Sequence, residues 1–361
     1  MHTDADDAPL PVAVVGAGRM GRHHARIYAN LDDARLVGVV DPDPDRAGML
    51  ADQHATEPYA SVEALLEAEP TVAAVSIAAP TDQHVSIARP LLERGIACLV
   101  EKPIAPTVAE AEALRGCAEQ AGTVLRVGHT ERFNPAVRAV ADMAITPRFI
   151  EIDRVSPMTF RSLDVSVVMD MMIHDLDIVL MLMNSRLTHV DAAGIAVISE
   201  RPDVANARLV FENGGVANIT ASRLALKTER KLRLFNESAY VSLDYQKRNG
   251  LVIRASQNAD ALKQLRQQLA AGSDLTDLDY SELVQVDELT MERSEHEKDP
   301  LTAQLGNFLK AARGEGSEGV DAHAGHAAVE AAERVLQAAA NHQWDGLDPS
   351  WQDAVPPSVR S

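Results

Sequence analysis

The run Val12-Ala13-Val14-Val15-Gly16-Ala17-Gly18-Arg19-Met20-Gly21 constrains the fold more than any other stretch of the chain. Four apolar residues suited to a strand lead into three glycines spaced G-x-G-x-x-G, and residues 19–31 then read as a helix. Few structures accept a strand turning into a helix through glycines at that spacing. Gly16 permits the tight turn, Gly18 lets the backbone approach a pyrophosphate, and Gly21 lets helix and strand pack closely. The helix start supplies N–H donors and the positive end of a dipole. Arg19 and Met20, inside the loop, count with the glycines as cofactor-binding residues. The next apolar run ends at Asp41, twenty residues past Gly21. A carboxylate there suits an adenosine ribose diol and repels a 2′-phosphate. The spacing therefore predicts NAD, with NADP disfavoured; Arg46 nearby softens that preference.

From residue 11 to residue 128 short apolar runs alternate with helical stretches. Runs at 12–16, 36–40, 71–78, 96–101 and 123–128 read as strands, and 19–31, 44–54, 61–68, 82–94 and 107–121 as helices. Repeated β-α-β implies a parallel sheet covered on both faces, an α/β Rossmann domain over 11–128. Past residue 146 the rhythm changes. A long helix at about 167–184 precedes several strand-like runs, with turn signals at 212–215 and at Asn249-Gly250. Short connections favour antiparallel neighbours. Residues 129–345 are thus expected to form an α+β substrate-binding and oligomerisation domain with an open, mainly antiparallel sheet. Residues 258–282 read as a surface helix and loop, and two helices close the chain at about 299–313 and 322–341. Residues 1–10 and 346–361 read as a flexible leader and tail.

Charge and composition narrow the function classes. With 34 basic and 53 acidic side chains the formal charge is −19, which argues against general nucleic-acid binding. There is no apolar run long enough for a membrane span and no signal-like apolar N-terminus, so a cytoplasmic protein is expected. Cys98 and Cys117 have no metal-site spacing and read as inert thiols. No metal is expected: the histidines at 23, 24, 323 and 326 lack suitably spaced partners.

The helix VVMDMMIHDLDIVLMLM, residues 167–183, is apolar on every side yet carries Asp170, His174, Asp175 and Asp177. Buried polar groups cost free energy unless satisfied. At about 100° per residue, Asp170, His174 and Asp177 share one narrow stripe, which suggests that the helix lines a cleft. Asp175 lies off that stripe. Asp175 and Asp177 serve equally well as capping or structural hydrogen-bonding groups. Lys102 is also unusual, because it follows an apolar strand at its C-terminal end, where open α/β sheets bind ligands.

Two further motifs, Ala79-Pro80-Thr81-Asp82-Gln83-His84 and Cys98-Leu99-Val100-Glu101-Lys102-Pro103, fall at successive strand ends. Together with the glycine loop they resemble the Gfo/Idh/MocA oxidoreductase family, and the resemblance covers nearly the whole chain. It implies that Pro80, Thr81 and His84 lie beside the cofactor and that Glu101 holds its ribose. It also implies that Lys102 touches the reacting hydroxyl and that Lys102–Pro103 is a cis bond. The family carries Asp-x-x-x-His on the helix facing the nicotinamide, and Asp170 and His174 match it. The implied catalytic set is Lys102, Asp170 and His174, with His174 as general base, Lys102 as electrostatic group, and Asp170 as hydroxyl ligand or orienter. The first two roles remain exchangeable.

The segment Gly128-His129-Thr130-Glu131-Arg132-Phe133-Asn134-Pro135 also resembles the family, and it makes His129, Arg132 and Asn134 substrate-binding candidates alongside Lys102, Asp170 and His174. Residues 148–180 look most like the subgroup of UDP-N-acetylglucosamine 3-dehydrogenases. An anionic substrate of that kind calls for local positive charge, with Arg154 and Arg161 as candidates and Arg223, Lys227, Arg230, Lys231 and Arg233 as a second basic cluster. The resemblance thus implies NAD-dependent oxidation of C3 of a UDP-N-acetylglucosamine, in a homodimer or homotetramer. The alternatives are a dehydrogenase of a free sugar or inositol-type polyol, and a non-catalytic regulator of the same fold. A regulator has less reason to keep the costly stripe.

Overall fold

In the computed structural model the described residues are 8–143, 145–159, 164–255, 259–271, 283–290, 299–316 and 318–344. Six parallel strands make the first sheet: β1 (Leu10–Val15), β2 (Ala34–Val40), β3 (Glu57–Tyr59), β4 (Ala74–Ile77), β5 (Ala97–Val100) and β6 (Leu125–Val127). Their order is β3-β2-β1-β4-β5-β6, which reverses between β1 and β4 and opens the crevice where such sheets bind ligands. Every residue of β4 and β5 is buried, as a sheet covered on both faces requires. The edge strand β3 was not among the expected elements. It is three residues long, contains Pro58, and has no apolar run to reveal it.

Five helices connect these strands: α1 (Arg19–Tyr28), α2 (Pro44–Gln53), α3 (Val62–Ala68), α4 (His84–Leu92) and α5 (Val108–Ala121). Asp43, Ser61 and Thr107 cap α2, α3 and α5 by accepting backbone N–H bonds. Helix α1 starts at Gly18 and has no side-chain cap. Its first N–H donors therefore remain available to an anion.

The second sheet contains β7 (Phe149–Val155), β8 (Leu187–Ile195), β9 (Val204–Phe211), β10 (Val216–Ser222), β11 (Glu229–Phe235), β12 (Ala239–Asp244), β13 (Asn249–Ala255) and β14 (Val284–Thr290). Its order is β14-β13-β12-β11-β7-β10-β9-β8. Every pairing is antiparallel except β7 with β10. The expected strand series began after the long helix and so omitted β7, which lies inside the sheet. Its partners arrive long after it in sequence, so no local turn announces it. In chain order α6 (Pro135–Asp142) precedes β7 and α7 (Ile173–Met183) precedes β8, followed later by α8 (Ala259–Ala270), α9 (Pro300–Ala312) and α10 (Ala322–Asn341). Helix α9 returns to the first sheet, where Leu305, Phe308 and Leu309 share a core with Val12, Val14, Tyr28 and Leu99. Helix α10 packs on α5, α7 and β8.

The expected regular helix over 167–184 is modified. It opens with a π-helical turn over Val168–Met172, in which the Ile173 N–H reaches the Val168 carbonyl five residues back. Such turns are rare and concentrate at functional sites. Regular α-helix then runs to Met183 and ends at Asn184 in the left-handed region.

Candidate active site

The glycine loop divides its work among three residues. Gly16 has φ +97°, and an added Cβ would meet the Ala78 carbonyl oxygen at 2.6 Å. A Cβ on Gly21 would lie 1.7 Å from the Gly16 oxygen, whereas one on Gly18 would meet nothing within 4 Å. Two glycines thus serve packing, and the third keeps the approach to the α1 N-terminus open. A dinucleotide pyrophosphate fits that cradle. The expected result for Gly21→Ala is a destabilisation of about 1–3 kcal/mol or more from overpacking, read as a lower melting temperature. Gly18→Ala is expected to melt like the parent and to lose NAD affinity by calorimetry.

Asp41 does more than face a ribose. It is buried, with Oδ2 accepting the Ala17 N–H (2.8 Å) and Oδ1 accepting the Asp43 N–H (3.0 Å). It therefore ties the glycine loop to the end of β2, and each oxygen keeps a second lone pair for a hydroxyl donor. Arg46 donates to Asp43 at 2.7 Å. Arg19 is exposed and Met20 half-buried at the start of α1; Pro80 and Thr81 lie at the C-terminal end of β4. His84, expected at the cofactor, is instead buried between two backbone carbonyls, Pro103 O (2.9 Å) and Ala79 O (3.0 Å). Burial lowers its pKa. It bridges the loop after β4 to the segment carrying Lys102.

Lys102 follows β5, and its bond to Pro103 is cis. Its Nζ donates to the Asp170 carbonyl oxygen at 2.6 Å and to Asp170 Oδ1 at 3.3 Å. Lys102, Asp170 and His174 line one cavity of about 290 Å³, together with Arg19, Arg154, Arg223 and Arg230. The cavity draws on both halves of the chain. His174 has a buried Nδ1 without a hydrogen-bond partner among the described residues, which leaves Nε2 as the nitrogen toward the cavity. Burial, reinforced by the charges of Lys102 and Arg154, holds its pKa well below the ordinary imidazole value. The ring is therefore neutral near pH 7 and free to accept a proton. Were His174 the base, protonation would remove it, so a lowered pKa moves the acid limb of the kcat/KM profile to lower pH. Activity is expected to stay flat from pH 8 down through about 6.5 and to fall only below it. A limb centred above that value would contradict the assignment. Stability follows the same sign: below the unfolded imidazole pKa the unfolded chain takes up the proton that the folded one resists.

The other two carboxylates of the helix do not join that cavity. Asp175 is 0% exposed and accepts two bonds from Arg154 of β7, from Nε (2.6 Å) and Nη2 (2.8 Å). Asp177 is equally deep and accepts two from Arg132, at 2.8 and 2.6 Å. The expected stripe of Asp170, His174 and Asp177 is therefore split. The opening π turn departs from the rotation assumed for it, and an arginine from another element claims Asp177.

Several expected substrate ligands are engaged elsewhere. Arg132 is committed to Asp177. Asn134 caps α6, its Oδ1 accepting the Ala136 N–H at 3.0 Å. Arg161 lies outside the described residues. His129 is buried, with its ring edge-on to His174 at 6.1 Å between centroids. The basic cluster divides as strand alternation requires. Arg230 lines the cavity, whereas Lys231 pairs with Glu229 and Arg233 with Glu151 and Asp153 on the opposite face of the sheet. Lys227 also pairs with Glu229, and Arg223 is anchored by Asp203 at 2.8 Å. Sequence reasoning did not single out Glu131, which accepts bonds from Arg154 (3.2 Å), Arg230 (3.2 Å) and Asn134 (3.1 Å). Its position inside the 128–135 motif was the available signal. Among the described residues no group of three metal-ligating side chains converges, and no helix is long and apolar enough to cross a membrane.

Comparison with known proteins places this geometry. Residues 10–129 match the oxidoreductase family model described as an NAD-binding Rossmann fold, and residues 151–242 match the Gfo/Idh/MocA C-terminal domain. Fold and site thus define an NAD-binding oxidoreductase. The UDP-N-acetylglucosamine 3-dehydrogenase of Acidithiobacillus ferrooxidans is 40% identical over 237 residues, 65% of this chain and 74% of that protein. Its solved structure superposes with a TM-score of 0.80 at 32% identity, covering 91% of this chain and 97% of that one. The inositol 2-dehydrogenase of Rhizobium meliloti is 30% identical over 199 residues, 52% of this chain and 59% of that protein. The chain belongs to the Gfo/Idh/MocA family of oxidoreductases.

Proposed function

We propose that the protein oxidises a secondary hydroxyl of a nucleotide sugar, C3 of UDP-N-acetylglucosamine, giving the 3-keto sugar. The observation that carries this reading is the convergence of Lys102, Asp170 and His174 on one arginine-rimmed cavity in a chain of formal charge −19. Arg154 and Arg223 are held by Asp175 and Asp203, which leaves Arg19 and Arg230 of the rim as donors to a diphosphate, whose oxygens suit guanidinium groups. The likeness to a dehydrogenase of that substrate supports the same choice.

The residues divide the chemistry. The glycine cradle and Asp41 would hold NAD, which would supply the hydride acceptor. His174 Nε2 takes the hydroxyl proton. The Lys102 ammonium, already donating to two oxygens of Asp170, stabilises negative charge developing on the substrate oxygen. Those two bonds favour Lys102 as the electrostatic group and His174 as the base, since the cavity-facing ring nitrogen is unbonded. Asp170 holds Lys102 and accepts from a neighbouring sugar hydroxyl. Addition of UDP-N-acetylglucosamine to enzyme and NAD is expected to raise absorbance at 340 nm. No rise with that sugar, alongside turnover of free inositol or glucose, would transfer the assignment to a polyol dehydrogenase.

The outer face of the second sheet supports assembly with a second copy. It carries Phe149, Phe235 and Tyr240 in an aromatic row, with centroids 5.5 and 4.9 Å apart. Light scattering is expected to give the mass of a homodimer or homotetramer; a monomer mass would exclude it.

A further inference from the structure

Buried polar atoms in folded proteins nearly always have a partner. In this protein several of the unpartnered ones belong to His174 and the residues behind it, with Tyr245 and Gln304 elsewhere. His174 Nδ1, both ring nitrogens of His129, Glu101 Oε1 and both ring nitrogens of His24 are buried without a hydrogen-bond partner among the described residues. His129 is 1% exposed, and its ring stands edge-on to His174, 86° between planes. Next to it in sequence, Gly128 lies against Glu101: a Cβ there would meet Glu101 Oε1 at 2.7 Å. Glu101 Oε1 in turn approaches His24 Nε2 to 3.1 Å, outside hydrogen-bonding alignment. The row therefore leads from the cavity wall inward, and a core histidine kept for packing alone has no reason to join it.

We propose that His129 is a temporary store for the proton that His174 removes from the substrate. The proposal rests on His174 being the general base. When Nε2 takes the hydroxyl proton, His174 becomes an imidazolium whose Nδ1–H is buried and unbonded. With the sugar covering the cavity, that charge has no route to solvent. The Nδ1–H bond then breaks and an N–H bond forms on His129, through one bridging water at this ring separation. His174 returns to neutral with its proton on Nε2, and the positive charge moves one ring inward. This step moves a proton and no electrons. Release of product reopens the cavity, the proton returns to Nδ1, and Nε2 loses its own to water.

The surrounding charges suit this transfer. His174 is buried and faces Lys102, Arg154 and Arg230, all of which oppose a positive charge on its ring. Burial lowers the His129 pKa too, but less far than that of His174, because the carboxylates of Asp177 and Glu101 offset Arg132 and Lys102 there. Neither His129 nitrogen is committed to another group, so the ring is available to accept.

The test is His129→Phe, with His129→Gln as a second variant that keeps polarity without accepting a proton. In both, kcat is expected to fall about tenfold or more while KM for UDP-N-acetylglucosamine changes less than about twofold. The solvent deuterium effect on kcat is expected to rise. In carbon-13 histidine spectra of the chain alone, His174 is expected to titrate at higher pH once the second imidazole is gone. Folded variants with parental kcat, isotope effect and His174 titration would overturn the store. Should His129→Phe not fold, His129→Gln is read by the same three measurements. If His174→Ala also retained full turnover, the base assignment itself would be at fault; loss in His174→Ala with none in the His129 variants rejects the store alone.

Discussion

His174→Ala is expected to lower kcat for NAD-dependent alcohol oxidation by about 10²–10⁴-fold, the usual contribution of a general base. The side chain lies on a cavity wall, so the protein should fold and melt as before. KM should move little, because the lost interaction is with a proton in flight and not with the resting sugar. Lys102→Ala is expected to fall by a similar factor, through lost stabilisation of charge on the oxygen. Its partner Asp170 distinguishes the two roles. Asp170→Asn keeps the backbone acceptor of Lys102 and loses only the 3.3 Å carboxylate contact, so it should retain more activity than Lys102→Ala. The double variant lacking both Lys102 and His174 should be little worse than the poorer single one, as groups acting as a unit are not additive. Steady-state rates at 340 nm decide all of these, and a His174→Ala protein with parental turnover would refute the site.

Asp175→Ala is expected to cost about 3–5 kcal/mol, the penalty for leaving one member of a buried ion pair alone. Arg154 is 4% exposed and Asp175 fully buried, and two bonds join them. Among the described residues Glu131, at 3.2 Å, would remain as the carboxylate bonded to the stranded guanidinium. In a protein of this size the loss corresponds to a melting temperature roughly 10 °C lower. Replacing both partners, Arg154→Met with Asp175→Leu, should recover much of the loss, because desolvating a charge costs more than packing an apolar group. Activity separates the two contributions. Arg154 also lines the cavity, so the double variant should regain stability without regaining turnover of an anionic substrate. A double variant less stable than Asp175→Ala would show that the pair stabilises the fold beyond its mutual neutralisation.

These two expectations stand on opposite sides of what the sequence made legible. His174 and Lys102 were visible because polar residues stood in apolar surroundings: an imidazole inside an all-round hydrophobic helix, and an ammonium at the end of a buried strand. The first sheet was visible for a similar reason. Its longer strands are mainly apolar runs, and the turns into α1, α2, α3 and α5 carry a glycine or a cap. Strand β3 lacked that signal. Strand β7 alternates well, but its place between β10 and β11 depends on residues that arrive 67 to 86 positions later. Helical spacing alone put Asp177 beside Asp170 and His174. Arg132 drew it to another partner, and the π turn removed the regular rotation on which the stripe depended.

The sequence by itself determined the parallel sheet, its glycine cradle, the acid at the end of β2, and the lysine and histidine of the site. Those features follow from backbone conformation, local periodicity and the cost of burying polar groups, all of which act over a few residues. The tertiary structure alone decided which cations reach the cavity and which are neutralised, that Asp41 and His84 hold loops together, and that His129 stands behind His174. Each of these is a pairing between elements far apart in the chain. A guanidinium or an imidazole has many acceptable partners, and only the packed fold selects one.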